Sequence, residues 1–528
     1  MKRNQNIPPQ GRSVDGMIRS KRTDGFNDPF IRPRTVAAKP EDPFTEGARR
    51  PRRQNRAGSP LPSPKLSRAD KKQQKKQAKA LKKQKRSRTR RVIKRIFIIL
   101  LIVVLVGGGY LGYKSWTKLR NIFRGGGNSA VLCGEVDPDA LKTEGDGRVN
   151  ILIMGIGGAE QRDGPNLTDT IMIASINPLD NSVKLLSVPR DLWVSIHGSY
   201  HKINEAYQTG LYDYQQDNPQ QSDAWPAIQA GFTSANDVIG KAVGIPINFD
   251  VLITYEAFRE AIDAVGGVDV NVAEDLVDQT MAWENGWNPV IAKKGLQHME
   301  SKQALMYVRS RETSARGDFD RAERQRAVLV ALQEKILSAG TLTNPVKISN
   351  LLDAFGNNIR TNIGGNERTC LINIVRKVNG SQVRSIDLYD YVMGATSDAG
   401  SSIQVPRAGM YDFSKLQAYV RNQLKDSYLA RENAEITVLN GTRMPGLATQ
   451  VADELKSYGY NVTNVGDAPD QSAATTQIID VSKKDSPRYT LHYLELRLGA
   501  TTTKTLPAGI SAGSAKIVIL VGSDAASN

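Results

Sequence analysis

Residues 96–113 read IFIILLIVVLVGGGYLGY, eighteen positions without a charge. A helix of that length can cross a bilayer, and Lys114 and Trp116 just beyond it are interfacial anchor types. The run is longer, and further along the chain, than a signal-peptide core. A single membrane helix at 93–116 is therefore expected, which excludes a soluble cytosolic enzyme. KKQQKKQAKALKKQKRSRTRRVIKR precedes it, while only Lys114, Lys118, Arg120 and Arg124 follow closely. That asymmetry puts residues 1–92 in the cytoplasm and the main domains outside the cell membrane.

Charge divides along the same line. Residues 1–95 carry 30 Lys and Arg against 7 Asp and Glu, whereas the rest holds 41 against 47. The high isoelectric point thus belongs to one end, and no basic partner surface is implied for the outer part. The tail at 1–92 is rich in Pro, Arg, Lys and Gln and too poor in aromatics to bury a core, so it reads as disordered. A solvated anchor that sets topology is the plain reading. Its basic stretch at 66–92 also suits an anionic leaflet or nucleic acid. Two cysteines exclude a disulfide framework and a multi-cysteine metal site. Cys133 and Cys370 both fall outside, where oxidation is possible. A bond between them would tie the stalk to the domain, and nothing in the sequence fixes their distance.

Residues 117–147 read as a Gly-rich stalk. Periodicity then begins. Strands are expected at 149–154 (VNILIM), 170–176 (TIMIASI) and 183–188 (VKLLSV), the last two joined as a hairpin by the turn chemistry of 177–181. A helix at 228–243 stops at Gly244. A strand at 250–253 precedes a helix at 255–265, which is stopped by Gly266 and Gly267 and followed by a strand at 268–272. Helices are expected at 301–308, 320–339, 368–378 and 413–424. Strands alternating with helices argue an α/β core over 148–425. The polar stretch Lys425 to Asn433 reads as a linker, giving a boundary at 426–434. At 435–523 the pattern restarts as a second, smaller α/β domain, with strands at 436–440, 461–465 and 516–521 and helices at 447–458 and 491–498.

Ligands of open α/β sheets bind outside the carboxyl ends of strands, and the charged clusters sit there. Asp169 opens the second strand, and Arg190 and Asp191 close the third. Arg309 and Arg311 flank one serine, and in an extended segment would share a face. Arg321, Arg324 and Gln325 are spaced i, i+3, i+4 at the start of a long helix. Five arginines exceed what one carboxylate needs; bidentate guanidinium clusters suit phosphate or pyrophosphate. Asp169 and Asp191 are then hard oxygen ligands for Mg²⁺. Each arginine taken alone reads more readily as a solvated surface charge, and only the set together favours the anion site. The turn GIGGAE at 155–160 lacks the last glycine of a dinucleotide fingerprint, and no nucleophile elbow, Walker loop or metalloprotease histidine pair is present.

The ordered motifs VNILIMGIGG, LTDTIMIASINP, VKLLSVPRDLWVSI, HKINEAY, AVGGVDVNV, GLQHMESKQALMYVRSR and GDFDRAERQR resemble the LytR-CpsA-Psr family of cell-envelope proteins. The last 95 residues, with ITVLNGTRMPGLATQVADELKSYGYNV, are similar to a small domain often appended to it. The resemblance implies an α/β/α fold with an apolar pocket for lipid. It also implies a phosphotransferase that moves a glycopolymer from a polyprenyl-pyrophosphate carrier to peptidoglycan. By position, Asp169 and Asp191 would hold Mg²⁺ or assist deprotonation. Arg190, Arg309, Arg311, Arg321 and Arg324 would hold the pyrophosphate, helped by Lys202 and Gln325. Asp169, Asp191 and Arg190 would carry the catalysis. Two stretches depart from the family: Arg162 and Asp163 come late after Gly155, and Leu167 stands where many members have Arg. Two other functions compete, a membrane-anchored transcriptional regulator and a non-catalytic binder of lipid-linked precursors. The tail has no helix-turn-helix pattern and the arginines lie across the membrane from it, so nucleic acid is not an expected partner.

Overall fold

Strands covered on both faces read as unbroken apolar runs, and VNILIM forms an inner strand of a six-stranded sheet. The computed structural model describes residues 122–157, 164, 166–221, 224–310, 316–378 and 382–526, with six scattered residues before them. Apart from those six, residues 1–92 and the span expected at 93–116 lie outside the described residues, as do Arg162, Asp163 and Arg311. Among the described residues no helix is long and apolar enough to cross a membrane.

The main sheet comprises β1 (Val149–Ile156), β2 (Thr168–Ile176), β3 (Val183–Ser187), β4 (Phe249–Thr254), β5 (Ile359–Thr361) and β6 (Val383–Ile386), in the order β5-β4-β1-β2-β3-β6. β2 and β3 form the expected hairpin; its turn is closed by Asn177 N–H on the Ser182 carbonyl at 2.9 Å. β1 runs parallel to β4 and antiparallel to β2, and β3 parallel to β6. The carboxyl ends of β1, β3 and β4 and the start of β2 therefore meet at one edge.

Helices cover both faces. Leu152, Met154, Ile173 and Leu186 point into one core, shared with α1 (Ala206–Asp217) and α2 (Trp225–Val243). On the other side lie α3 (Tyr255–Val265), α4 (Ser301–Arg309), α5 (Asp318–Leu337), α6 (Pro345–Asn358) and α7 (Gly365–Lys377). α3 ends where expected, with Gly266 in the left-handed region at φ 84°. The two sheet faces are filled unequally. Leu152 and Met154 are fully buried, while Ile153, Val251 and Ile253 on the opposite face are only half-buried.

Two stretches are more ordered than expected. Residues 425–433 are no linker: Ser427–Glu432 forms α9, following α8 (Ser414–Gln423), and Asp426 caps it from a buried position. The polar letters are deceptive because Asp426 spends its polarity on backbone and side-chain donors. Nor are residues 122–147 a free stalk. Val131, Leu132 and Leu141 are buried in the core, and Cys133 is disulfide-bonded to Cys370 on α7. Smaller shifts are that the long helix runs from Asp318 to Leu337 and that Arg309 closes α4 in helical conformation.

The C-terminal part builds a five-stranded sheet from β7 (Glu435–Asn440), β8 (Asn461–Asp467), β9 (Gln477–Asp480), β10 (Thr502–Thr503) and β11 (Ile517–Val521), ordered β8-β7-β11-β9-β10. Its helices are α10 (Leu447–Ser457) and α11 (Arg488–Leu498). Its core is continuous with the main one: Ile436, Val438 and Tyr489 belong to the same buried cluster as Val149 and Ile176.

Asp250 on β4 is fully buried and accepts from Asn236 Nδ2 at 2.9 Å and Asn362 Nδ2 at 2.6 Å. Burial pushes its carboxyl up to about 7 against the pull of those two amides. The folded chain thus keeps a proton that the unfolded chain releases near pH ~4. Stability from this group is full below that pH and is lost as pH rises toward 7. Melting temperature is expected to fall between pH 5 and 7, and Asp250→Asn to flatten that slope. Buried Asp426 shifts in the same direction, so some slope should persist in the variant. An unchanged slope in Asp250→Asn would show that Asp250 is already ionised when folded.

Candidate active site

The converging strand ends deliver the site. Asp169 and Thr170 stand at the start of β2, Arg190 follows β3, and Tyr255 follows β4. α4 and α5 add Arg309, Arg321 and Gln325 from above the edge. Together with Val308 these residues line a polar cavity of about 190 Å³.

Arg190 is its hinge. One guanidinium nitrogen donates to Asp169, and Nε lies 3.5 Å from Asp191 Oδ2. Lys202 Nζ holds the other Asp191 oxygen at 2.8 Å. The Lys-Ile-Asn segment fixes this turn as well. Ile203 N–H bonds the Leu192 carbonyl at 2.8 Å, Asn204 N–H the Arg190 carbonyl at 3.2 Å, and Thr168 Oγ1 the Asn204 carbonyl at 3.0 Å. Arg321 is 8% exposed and donates to the Asp169 carbonyl at 3.3 Å, so its charge is held at the cavity wall in a poorly solvated place. Gln325 Nε2 reaches Thr170 Oγ1 at 3.2 Å. Arg309 pairs with Glu284 at 3.2 Å and lies over the Tyr255 ring, 5.3 Å from its centroid. Burial raises the Tyr255 hydroxyl, helped by Asp169 and opposed by Arg309, Arg321 and Arg190. The phenol therefore stays protonated and can donate.

The expected set is not gathered whole. Asp169, Arg190, Arg309, Arg321 and Gln325 share the cavity; Asp191 and Lys202 adjoin it through Arg190. Arg324 departs. Its Nε donates to the Tyr307 carbonyl at 3.0 Å and its Nη2 to the Ser310 carbonyl, and it lines a different cavity with Tyr307 and Glu274. Its burial lowers the guanidinium pKa, and its contacts make it a cap for the end of α4. The idea that Arg309 and Arg311 alternate along an extended segment also fails at Arg309, which is helical.

Sequence reasoning missed Thr170, Tyr255 and Glu284. Tyr255 carried a usable signal, a polar aromatic set between a strand end and a helix start. It also did not locate the apolar cleft beside the cavity, lined by Ile153, Met172, Ile253, Phe258, Leu305 and Leu329. The two spaces share Thr170, Tyr255, Val308, Arg309 and Gln325. Ile153 and Ile253, half-buried on the underfilled sheet face, form part of the cleft's wall.

The donor set suits a hard cation. Asp169 and Asp191 both rest on one guanidinium, so the notch between them already accommodates positive charge, and Mg²⁺ needs only one or two protein carboxylates. Among the described residues no group of three or more His, Cys, Asp or Glu side chains is placed to hold a metal by itself.

Residues 127–417 match the family model described as the LytR_cpsA_psr family, and residues 433–524 match one described as LytR cell envelope-related transcriptional attenuator. The chain is similar to the cell wall biosynthesis protein LcpA of Corynebacterium glutamicum, 26% identical over 418 residues, 72% of this chain and 77% of that protein. It is 32% identical over 240 residues to the polyisoprenyl-teichoic acid--peptidoglycan teichoic acid transferase TagU of Oceanobacillus iheyensis, covering 44% of this chain and 66% of that one. The crystal structure of Bacillus subtilis TagV aligns with a TM-score of 0.39 at 25% identity, over 54% of this chain and 98% of that chain.

Proposed function

The chain belongs to the LytR-CpsA-Psr family, and from that premise we propose that it is a phosphotransferase of the cell wall. It takes a glycopolymer from a polyprenyl-pyrophosphate carrier and joins it to peptidoglycan through a phosphodiester. One observation carries this reading: an arginine-lined polar cavity adjoins an apolar cleft, and five residues line both. A ligand that fills both is anionic at one end and a hydrocarbon at the other. The names of the relatives, which pair a polyisoprenyl carrier with peptidoglycan, support the same substrate class.

In the transfer, an acceptor hydroxyl oxygen of peptidoglycan attacks the phosphorus nearer the glycopolymer. The new P–O bond forms, the bridging P–O bond of the pyrophosphate breaks, and polyprenyl phosphate leaves. Arg309, Arg321 and Arg190 hold the phosphate oxygens and offset charge that grows on the leaving bridge. Gln325 and Tyr255 donate hydrogen bonds that orient the group. A carboxylate of the Asp169–Asp191 pair takes the hydroxyl proton. The same pair would hold Mg²⁺, which when bound supplies positive charge to the pyrophosphate oxygens. Residues 93–116 would anchor the enzyme in the membrane that carries its lipid substrate, with the tail at 1–92 cytoplasmic.

Arg309→Lys keeps the charge but loses the planar fork and the packing on Tyr255. Affinity for a polyprenyl pyrophosphate is expected to weaken by about 1–3 kcal/mol, the worth of a charged hydrogen bond, with melting temperature unchanged. A variant that binds like the parent would remove Arg309 from the anion site. Chelation with EDTA is expected to stop transfer and Mg²⁺ to restore it; transfer indifferent to EDTA would take the metal out of the proposal.

A further inference from the structure

A second apolar groove lies away from the catalytic edge. It is about 650 Å³ in volume and is lined by Ile122, Phe123, Val251, Phe355, Ile363 and Ile372, among others from α6 and α7. The chain arriving from residue 121 is fixed there. Ile122 is buried, Phe123 bridges to Thr361 on β5, and Arg368 lies over the Phe123 ring, 5.5 Å from its centroid. The Cys133–Cys370 bond then ties this arriving strap to α7.

The outer side of α7 is unusual for a helix facing water. Ile372 is 44% exposed and Val375 37%, and exposed Arg376 adjoins them. Arg368, Ile372 and Val375 recur at helical spacing, so apolar and basic groups share one stripe. Apolar side chains flanked by Arg and Lys are the pattern of a helix lying in a bilayer interface.

Chain length limits what can cover this stripe. The uncharged run ends at Tyr113, and residues 114–121 alone separate it from Ile122. Fully extended, that connection spans at most about 30 Å. If residues 96–113 span the membrane, as the functional reading holds, the groove cannot stand further than that from the bilayer surface.

We propose that the groove and the outer stripe of α7 form a membrane-docking surface seated on an anionic outer leaflet. Ile372 and Val375 enter the boundary between headgroups and acyl chains, and Arg368 and Arg376 face lipid phosphates. The placement has a consequence for the substrate. Val251 lines the groove and Ile253, two residues on, lines the apolar cleft beside the catalytic cavity. Residues two apart on a strand share a face, so one sheet face leads from the bilayer side toward the anion site. The inference rests on the spanning role of residues 96–113, and the test separates the two.

The full chain is reconstituted into vesicles of phosphatidylcholine and phosphatidylglycerol containing lipid with a nitroxide near the headgroup. Ile372→Cys and, separately, Val375→Cys are labelled with bimane without reductant, leaving the native disulfide closed. Met393→Cys is the control; Met393 is 46% exposed on the strand pair that follows β6, at the catalytic edge. Bimane at 372 and at 375 is expected to be quenched at least ~2-fold more than at 393. Vesicle-bound protein with equal quenching at all three positions would overturn the docking surface while leaving the span intact. Protein that does not float with the vesicles at all would overturn the span, and the docking surface with it. Replacing phosphatidylglycerol by phosphatidylcholine is expected to reduce quenching at 372; no change would remove Arg368 and Arg376 from the contact.

Discussion

Arg190→Ala is expected to lower glycopolymer transfer by about 10²–10³-fold, the usual cost of removing one preorganised charge-stabilising donor. The reason lies in its two partners. With Arg190 gone, Asp169 and Asp191 lose a shared cation at the cavity, and an incoming pyrophosphate meets negative charge. Lys202 still holds Asp191, so the turn keeps its shape and the melting temperature should move little. Release of polyprenyl phosphate, followed alongside attachment of polymer to peptidoglycan, reads the effect. Arg324→Ala makes the contrast. It should lower the melting temperature, because the carbonyls of Tyr307 and Ser310 lose their donor. An Arg190→Ala enzyme with parental turnover would leave the cavity without a catalytic role.

The second large effect concerns stability. Asp426 accepts five hydrogen bonds: from the N–H groups of Gly145 at 3.0 Å, Gly147 at 2.7 Å, Tyr428 at 2.8 Å and Leu429 at 3.2 Å, and from the Tyr493 hydroxyl at 3.0 Å. Those donors come from the strap before β1, from α9 and from α11. Asp426→Ala leaves them buried and unpaired, each at a cost of about 1–3 kcal/mol where no water can reach. A loss of about 3–5 kcal/mol is expected after local relaxation, read by chemical denaturation. Asp426→Asn should recover part of it, since one amide oxygen still accepts. A loss under about 0.5 kcal/mol would mean that solvent reaches the site.

Much of this architecture was legible in the residues. The strands of the main sheet announce themselves because they are buried on both faces, and α3 because Gly266 stops it. The strand-edge site was legible for the same reason: charges directly after apolar runs have one place to go. Three features were not. Arg324 shares a helix with Arg321 and Gln325, but successive residues turn by about 100°. It therefore lies roughly 60° to one side of Arg321 and Gln325 roughly 40° to the other, enough to send them into separate cavities. The apolar cleft was hidden because Ile153 and Ile253 look like any core residues; only partner side chains show that their face is underfilled. Residues 425–433 misled because polarity was taken as exposure, and Asp426 is polar and buried.

The small sheet also sets an order of events. β11, Ile517–Val521, is buried at every residue and lies in the middle of that sheet, between β7 and β9. A nascent chain that has reached only residue 500 holds every strand of the main sheet, yet its small sheet lacks a centre and β7 lacks a neighbour. All strands of the main sheet are thus available before the small sheet can be completed, in keeping with the N-terminal-first habit of domains. The strap before β1 and α9 hold Asp426 by backbone donors, and the Tyr493 hydroxyl of the C-terminal part completes the clasp.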